Sequence, residues 1–353
     1  MQTLLRLLLK NQHQQNRSRP AQTENGMTLV ELLVGAIMAF LIITPMLGFV
    51  VDMLNTDRRE QVKSNTEQDI QAAVDFIAQD LSQAIYIYDN NSTTGIPAIT
   101  KFLPATGNDE IPILVFWKRQ ILEKSLPVNT SLTPQPTDCD PKAEPGKKGD
   151  CNDTYVLSLV AYYQFKNQDN TWCQPSGGTC PTRIARYQIH DGLENKSSDA
   201  NKPYTGLESG QKTSPAYNGT PSGTTPAFDI TNPEKNVTNL GVAWDGYDVL
   251  VNYIDHSAGS TVTGNECKTA LSNPTDPKDT TKFLDEDTLK VTEPTKTINS
   301  FYACVDTSKN LARVTIRGNS LRSLQTDAKY DANKSAFFPT ATVQVKGLGA
   351  RGK

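Results

Sequence analysis

The sequence predicts an α+β protein: one long N-terminal helix ahead of an antiparallel β-sheet with long loops. Three observations carry this. Twenty consecutive uncharged residues, Leu32 to Val51, are followed by an apolar stripe at helical spacing that extends to residue 88. Beyond it, short runs rich in Val, Ile, Tyr and Phe alternate with turn formers. Nearly all of the 22 glycines and 21 prolines fall after residue 88, which suits loops between strands better than a helical bundle.

Residues 1–26 read as a leader. Arg6, Lys10, Arg17 and Arg19 face only Glu24, and positive residues ahead of an apolar stretch stay in the cytoplasm. Leu4 to Leu9 is too short, and too broken by Arg6, to span a bilayer. The run from Leu32 to Val51 has the length of about 20 residues that a membrane helix needs. No small-residue cleavage site follows it, so the segment reads as a retained anchor, residues 27–54, and not as a secretory signal.

The helix is expected to continue as an amphipathic half over 55–88. Ile70, Val74, Ile77, Leu81, Ala84, Ile85 and Tyr88 recur at spacings of three and four, one face to be packed on a sheet. The stop is expected at "YDNNSTTG". The remaining chain, 89–353, reads as a β-rich head outside the membrane. Strands are predicted at 111–118, 154–165, 182–190, 247–254, 300–306 and 312–318, with "TSKNL" as a tight hairpin turn between the last two. The polar stretches 127–152, 191–241 and 256–296 read as surface excursions or disorder.

Net charge is −3, with no stripe of Lys and Arg, so nucleic acid is not an expected partner. Six cysteines, Cys139, Cys151, Cys173, Cys180, Cys267 and Cys304, lie beyond the anchor. An even number in an exported chain points to disulfides, with buried thiols as the alternative; no C-x-x-C pair supports a metal. Short loops favour Cys173–Cys180, Cys139–Cys151 and Cys267–Cys304. Of three histidines, His13 lies in the leader; His190 and His256 sit beside Asp191 and Asp255 at strand ends and read as turn residues. No G-x-S-x-G, H-E-x-x-H or P-loop pattern is present, so neither enzyme nor cofactor is expected. "DEDTL" (285–289) lacks the pattern of a calcium loop.

One oddity remains: Glu31 stands at the front edge of the apolar run, where a carboxylate is costly. A basic leader ending in Gly26, then Met27, then "TLVELL" resembles the class III signal of type IV pilins and pseudopilins. The resemblance implies that a prepilin peptidase cuts after Gly26 and N-methylates Met27. Glu31 then becomes the fifth residue after the cut, and in this family that carboxylate is thought to pair with the N-terminal amine of the preceding subunit in a fibre. The family's first residue is usually Phe, here Met27. Many pilins have a mid-anchor proline where this chain has Gly48; Pro45 lies three residues earlier and should kink or locally melt the helix.

"AAVDFIAQDLSQAIYIYD", with its Asp-Leu pair and following Ala, and the paired "VAYYQF" and "TRIARYQI" resemble the J-type and W-type minor pilins. The N-terminal third most resembles the pseudopilins of hormogonium polysaccharide secretion in filamentous cyanobacteria. This implies a type IV pilin-like fold and a minor pseudopilin, with the N-terminus cytoplasmic and the head periplasmic, later part of a fibre. Its implied partners are the prepilin peptidase, other major and minor pseudopilins and an inner-membrane assembly platform; its implied role is in polysaccharide secretion and gliding motility. The large head suits a scarce subunit near the tip. The alternative is a tip adhesin or DNA-uptake minor pilin.

Overall fold

The computed structural model describes residues 28–104, 109–127, 151–166, 169–192, 212–217, 237, 244, 246–257, 264–292 and 300–349. The chain divides into two compact units, one up to Arg58 and one from Arg59 to Lys353.

Helix α1 covers Leu29–Ser82. In the first unit every described residue, Thr28 to Arg58, is exposed, including the apolar side chains from Leu29 to Leu54. By length and composition this stretch is a candidate membrane span. In the second unit the helix buries Thr66, Ile70, Ala73, Val74, Ile77, Asp80 and Leu81. These spacings keep one face turned inward. Burying each of the larger aliphatic side chains contributes about 1.5–3 kcal/mol before conformational entropy is counted.

The helix ends at Ser82, short of residue 88 where the sequence placed its end. The residues Ala84–Ile87 form strand β1, which pairs antiparallel with β2 (Glu110–Pro127). The cause is composition: Ile85, Tyr86 and Ile87 are β-branched or aromatic and prefer a pleated sheet. Ala84 and Tyr88 are still buried as the helical stripe required, but from a strand and its exit.

Strands β3 (Cys151–Phe165), β4 (Thr182–His190) and β5 (Asp248–Ile254) complete a five-stranded antiparallel sheet in chain order, β1-β2-β3-β4-β5. Short helix α2 (Ile96–Ile99) lies between β1 and β2. After β5, the stretch expected to be loop or disorder carries helix α3 (Glu266–Ala270), strands β6 (Thr275–Asp276) and β7 (Asp279–Phe283), helix α4 (Glu286–Leu289) and strand β8 (Lys290–Val291). Strands β9 (Phe301–Asp306), β10 (Leu311–Arg317) and β11 (Thr340–Lys346) follow, and a second antiparallel sheet runs β11-β10-β9-β8.

The β9–β10 hairpin turns where expected. Asn310 takes the left-handed conformation, φ 50°, which asparagine tolerates better than most residues. Its buried side-chain amide donates to the Ala84 carbonyl at 2.7 Å, tying the hairpin to β1. An isolated bridge, Ile254↔Gly318, links the ends of β5 and β10. One core joins the α1 stripe, Ile113–Trp117 of β2, Leu159–Tyr163 of β3, and Val305, Val314 and Ile316 of the second sheet. At Gly318 the helix lies close against the end of β10: a Cβ there would lie 2.1 Å from Ile70 Cδ1 and 2.9 Å from Thr66 Cγ2.

Candidate functional site

The first candidate site is the start of α1. Gly26 and Met27 lie outside the described residues. At Thr28 the helix is closed by a reciprocal cap: the Thr28 N–H and hydroxyl donate to Glu31 Oε2 at 3.0 and 3.1 Å, and the Glu31 N–H donates to Thr28 Oγ1 at 3.3 Å. This is the capping box written in the sequence as T-L-V-E. Glu31 thus has a local task beside any intermolecular one: it satisfies a helix-terminal donor and sets an anion at the positive end of the helix dipole. Further along, the helix runs without a break through Pro45 and Gly48. Pro45 has no N–H to give the Leu41 carbonyl, and Thr44 Oγ1 turns back to the Phe40 carbonyl at 2.8 Å.

The second site is the junction of helix and sheet, built around Asp80. Its Oδ1 accepts from Lys118 Nζ at 2.7 Å. Its Oδ2 accepts from Arg186 Nε at 2.8 Å and from the Tyr162 hydroxyl at 2.7 Å. Arg186 continues to Gln188, Gln188 to Gln120, and Ser158 donates to the same Gln120 oxygen at 2.8 Å. Four elements, α1, β2, β3 and β4, therefore meet at one carboxylate. Burial raises the pKa of Asp80, but the charges of Arg186 and Lys118 and their hydrogen bonds outweigh it and hold the carboxyl below its ordinary range. Burial and the Asp80 charge push the Tyr162 hydroxyl well up. A carboxylate held this way is neither acid nor poised base at neutral pH; it fastens the elements together. The Asp-Leu pair, the Tyr-rich strand and the Arg-bearing return strand, singled out separately in the sequence, are the segments that contribute Asp80, Tyr162 and Arg186.

The cysteine pairs Cys173–Cys180 and Cys267–Cys304 are formed. Cys139 and the side chain of Cys151 lie outside the described residues. Arg322, fully buried, clasps the first disulfide loop: it donates to the carbonyls of Thr179 at 3.0 Å and of Gln174 and Pro175 at 3.3 Å. The second disulfide holds α3 against β9 in a small cluster with Leu271, Leu289 and Tyr302.

His190 and His256 are not brought together with acidic partners into a catalytic set. His190 Nδ1 lies 2.8 Å from the backbone oxygen of Asp191. Asp255, fully buried, turns instead to Arg317, whose Nε donates at 2.9 Å, and to the N–H of Ser257 at 3.0 Å. His256 has neither ring nitrogen hydrogen-bonded among the described residues; burial lowers its pKa, against the pull of Asp255. Within 285–289, Glu286 caps α3, accepting from the N–H groups of Cys267 and Lys268 at 2.8 and 2.9 Å. Among the described residues no cluster of three metal-ligating side chains occurs.

The sequence marked Asp80 only as part of the Asp-Leu pair, not as the centre of a charge cluster, although the signal was there: a carboxylate three residues after Ile77 and one before Leu81 falls on the buried face and must find a cation. Comparison of the chain with protein-family models, curated proteins and solved structures finds no match.

Proposed function

We propose that the chain is a minor pseudopilin. In this reading it is cut after Gly26 by a prepilin peptidase, N-methylated at Met27 and held in the inner membrane by the first half of α1. Its β-rich head is periplasmic, and the subunit joins a type IV pilus-like fibre in support of polysaccharide secretion. The observation that carries the reading is the start of α1: an apolar, wholly exposed helix whose first turn bears one carboxylate, drawn back toward the helix N-terminus by the Thr28 cap. In that position the Glu31 carboxylate lies within about one helical turn of the amine that cleavage would create. The same helix later packs on an antiparallel sheet through Asp80, which supports a pilin-like arrangement of the head.

The roles then separate along the chain. The apolar half serves first as anchor and then as fibre core, and the Pro45–Gly48 segment gives the helix a place to bend. Asp80 keeps the head fixed on the second half of the helix under the load of fibre extension. Replacement of Gly26 by Leu tests the reading. A chain retained in membranes at precursor length supports it; normal shortening of that variant speaks against it.

A further inference from the structure

Beside the Asp80 junction, within the unit that begins at Arg59, α1 and β5 leave an open groove of about 410 Å³. That is within the range of about 300–1,000 Å³ typical of small-molecule sites. Four consecutive residues of β5, 249–252, line it. Side chains alternate between faces along a strand, so four lining residues in a row contribute backbone as well as side-chain atoms. β5 is the last strand of its sheet, and the groove therefore meets backbone donors and acceptors as well as side chains.

Two aromatic rings line the groove from different elements, Phe76 on α1 and Trp172 on the disulfide loop. Phe76 is 42% exposed. Each has an arginine of β4 against it: the Arg186 guanidinium lies 5.7 Å from the Phe76 centroid and that of Arg183 lies 6.0 Å from Trp172. A guanidinium near a ring face attracts the ring electrostatically and helps hold it in place. Trp172 is also held in place. Its carbonyl accepts from Asn252 Nδ2 at 3.2 Å, and the next residue, Cys173, is in the disulfide loop clasped by Arg322. Among the described residues, the one charged side chain lining the groove is Asp69.

We propose that this groove binds a neutral glycan segment. The apolar faces of pyranose rings would lie against Phe76 and Trp172, and ring hydroxyls would bond Asp69 and the backbone edge at 249–251. An anionic polymer would meet the Asp69 carboxylate, while Arg183 is buried and Arg186 is paired with Asp80. An added peptide strand would find little to pair with. Past Asn252 the edge is occupied, because the Tyr253 carbonyl accepts from the Asn319 N–H at 2.7 Å and the Asp255 N–H donates to Arg317 at 3.0 Å. Among the described residues the edge left to a partner is 248–252, so an added strand could not run the length of β5. The proposal rests on the pseudopilin reading only for the source of the glycan, the exported polymer; the groove's chemistry stands apart from it.

The test uses the full chain in a detergent without a sugar headgroup, with isothermal titration calorimetry as the readout, which does not depend on Trp172. The probes are cellohexaose, maltohexaose, the producing cells' own exopolysaccharide and, as the anionic comparison, polygalacturonate. At least one neutral probe should bind at millimolar concentration or better. Trp172→Ala should weaken it about tenfold or more and Trp172→Phe much less, with Cys173–Cys180 intact in both by peptide mapping. Phe76→Ala, which leaves the loop untouched, should weaken it as well. Binding of the exopolysaccharide points to the export substrate, and binding of the defined oligosaccharides alone to a foreign surface glycan; either supports the site. Absence of binding by every neutral probe, equal binding of polygalacturonate, or indifference to Trp172→Ala overturns it. So does a parent chain that binds no sugar while the groove variants fail to join fibres, since a neighbouring subunit then fills the groove. Cleavage at Gly26 is read separately, so failure of the glycan site leaves the pseudopilin reading standing, and the reverse.

Discussion

Replacing Asp80 with Ala should loosen the head from the helix that carries it. The Asp80 and Lys118 side chains are each 9% exposed and that of Arg186 is 13% exposed, so solvent screens the cluster little. Removal of the carboxylate strands Lys118 without its anion and leaves Arg186 with no anionic partner, beside Gln188 and Tyr162. Breaking a buried ion pair from one side costs about 3–5 kcal/mol. At about 2–4 °C per kcal/mol for a domain of this size class, the unfolding midpoint should fall by about 6–20 °C. Near-UV circular dichroism of the full chain in micelles would measure it. The combined substitution Asp80→Leu, Lys118→Met and Arg186→Met should recover much of the loss, because it removes the stranded charges too. The pH dependence has a definite sign. The folded carboxyl has a lowered pKa, so its contribution is complete above the unfolded value of about 3.9 and disappears as pH falls through the folded one. The parent should therefore lose more stability below about pH 4 than Asp80→Asn does. A midpoint shift for Asp80→Ala equivalent to under about 1 kcal/mol, the range of surface pairs, would refute the reasoning.

Gly318→Ala should destabilise the head by about 1–3 kcal/mol through overpacking, since its Cβ would fall 2.1 Å from Ile70 Cδ1. Ile70→Val in the same chain should restore part of that loss in urea unfolding, and full additivity of the two costs would contradict the contact. Cys267→Ser with Cys304→Ser opens a loop with a sequence separation of 37 and should cost about 4 kcal/mol by loop entropy, read as a lower urea midpoint. Glu31→Ala removes the carboxylate half of the capping box, an anion at a helix N-terminus worth about 0.3–1 kcal/mol, keeps the backbone bond to Thr28 Oγ1, and should leave cleavage intact and reduce incorporation into fibres. Normal incorporation would take Glu31 out of its proposed intermolecular role.

Much of this arrangement was legible in the sequence because the responsible interactions are local or periodic. The stripe Ile70, Val74, Ile77, Leu81 announces the buried helix face, and 182–190 is β4 to the residue. The two short-range turns, at Thr307–Asn310 and around Cys173–Cys180, were equally readable. The end of α1 was not, because the period of three and four runs on through Ala84 and Tyr88 while Ile85–Ile87 answer to pairing with β2, a partner some thirty residues away. β11 was not among the strands predicted although Thr340–Lys346 alternates with period two; its Thr, Gln and Lys residues make it more polar than the other strands of its sheet. At the sites, Glu31 stood out by charge alone. Asp80, Gly318 and Arg322 act through residues distant in the chain, and only the fold brings those partners together.

The central claim turns on where the mature chain begins. Intact-mass and peptide mass spectrometry of the protein extracted from membranes should show an N-terminus at Met27 carrying one added methyl group, with Leu32 to Val51 retained. A chain that keeps residues 1–26, or one cut beyond Val51, would contradict the account.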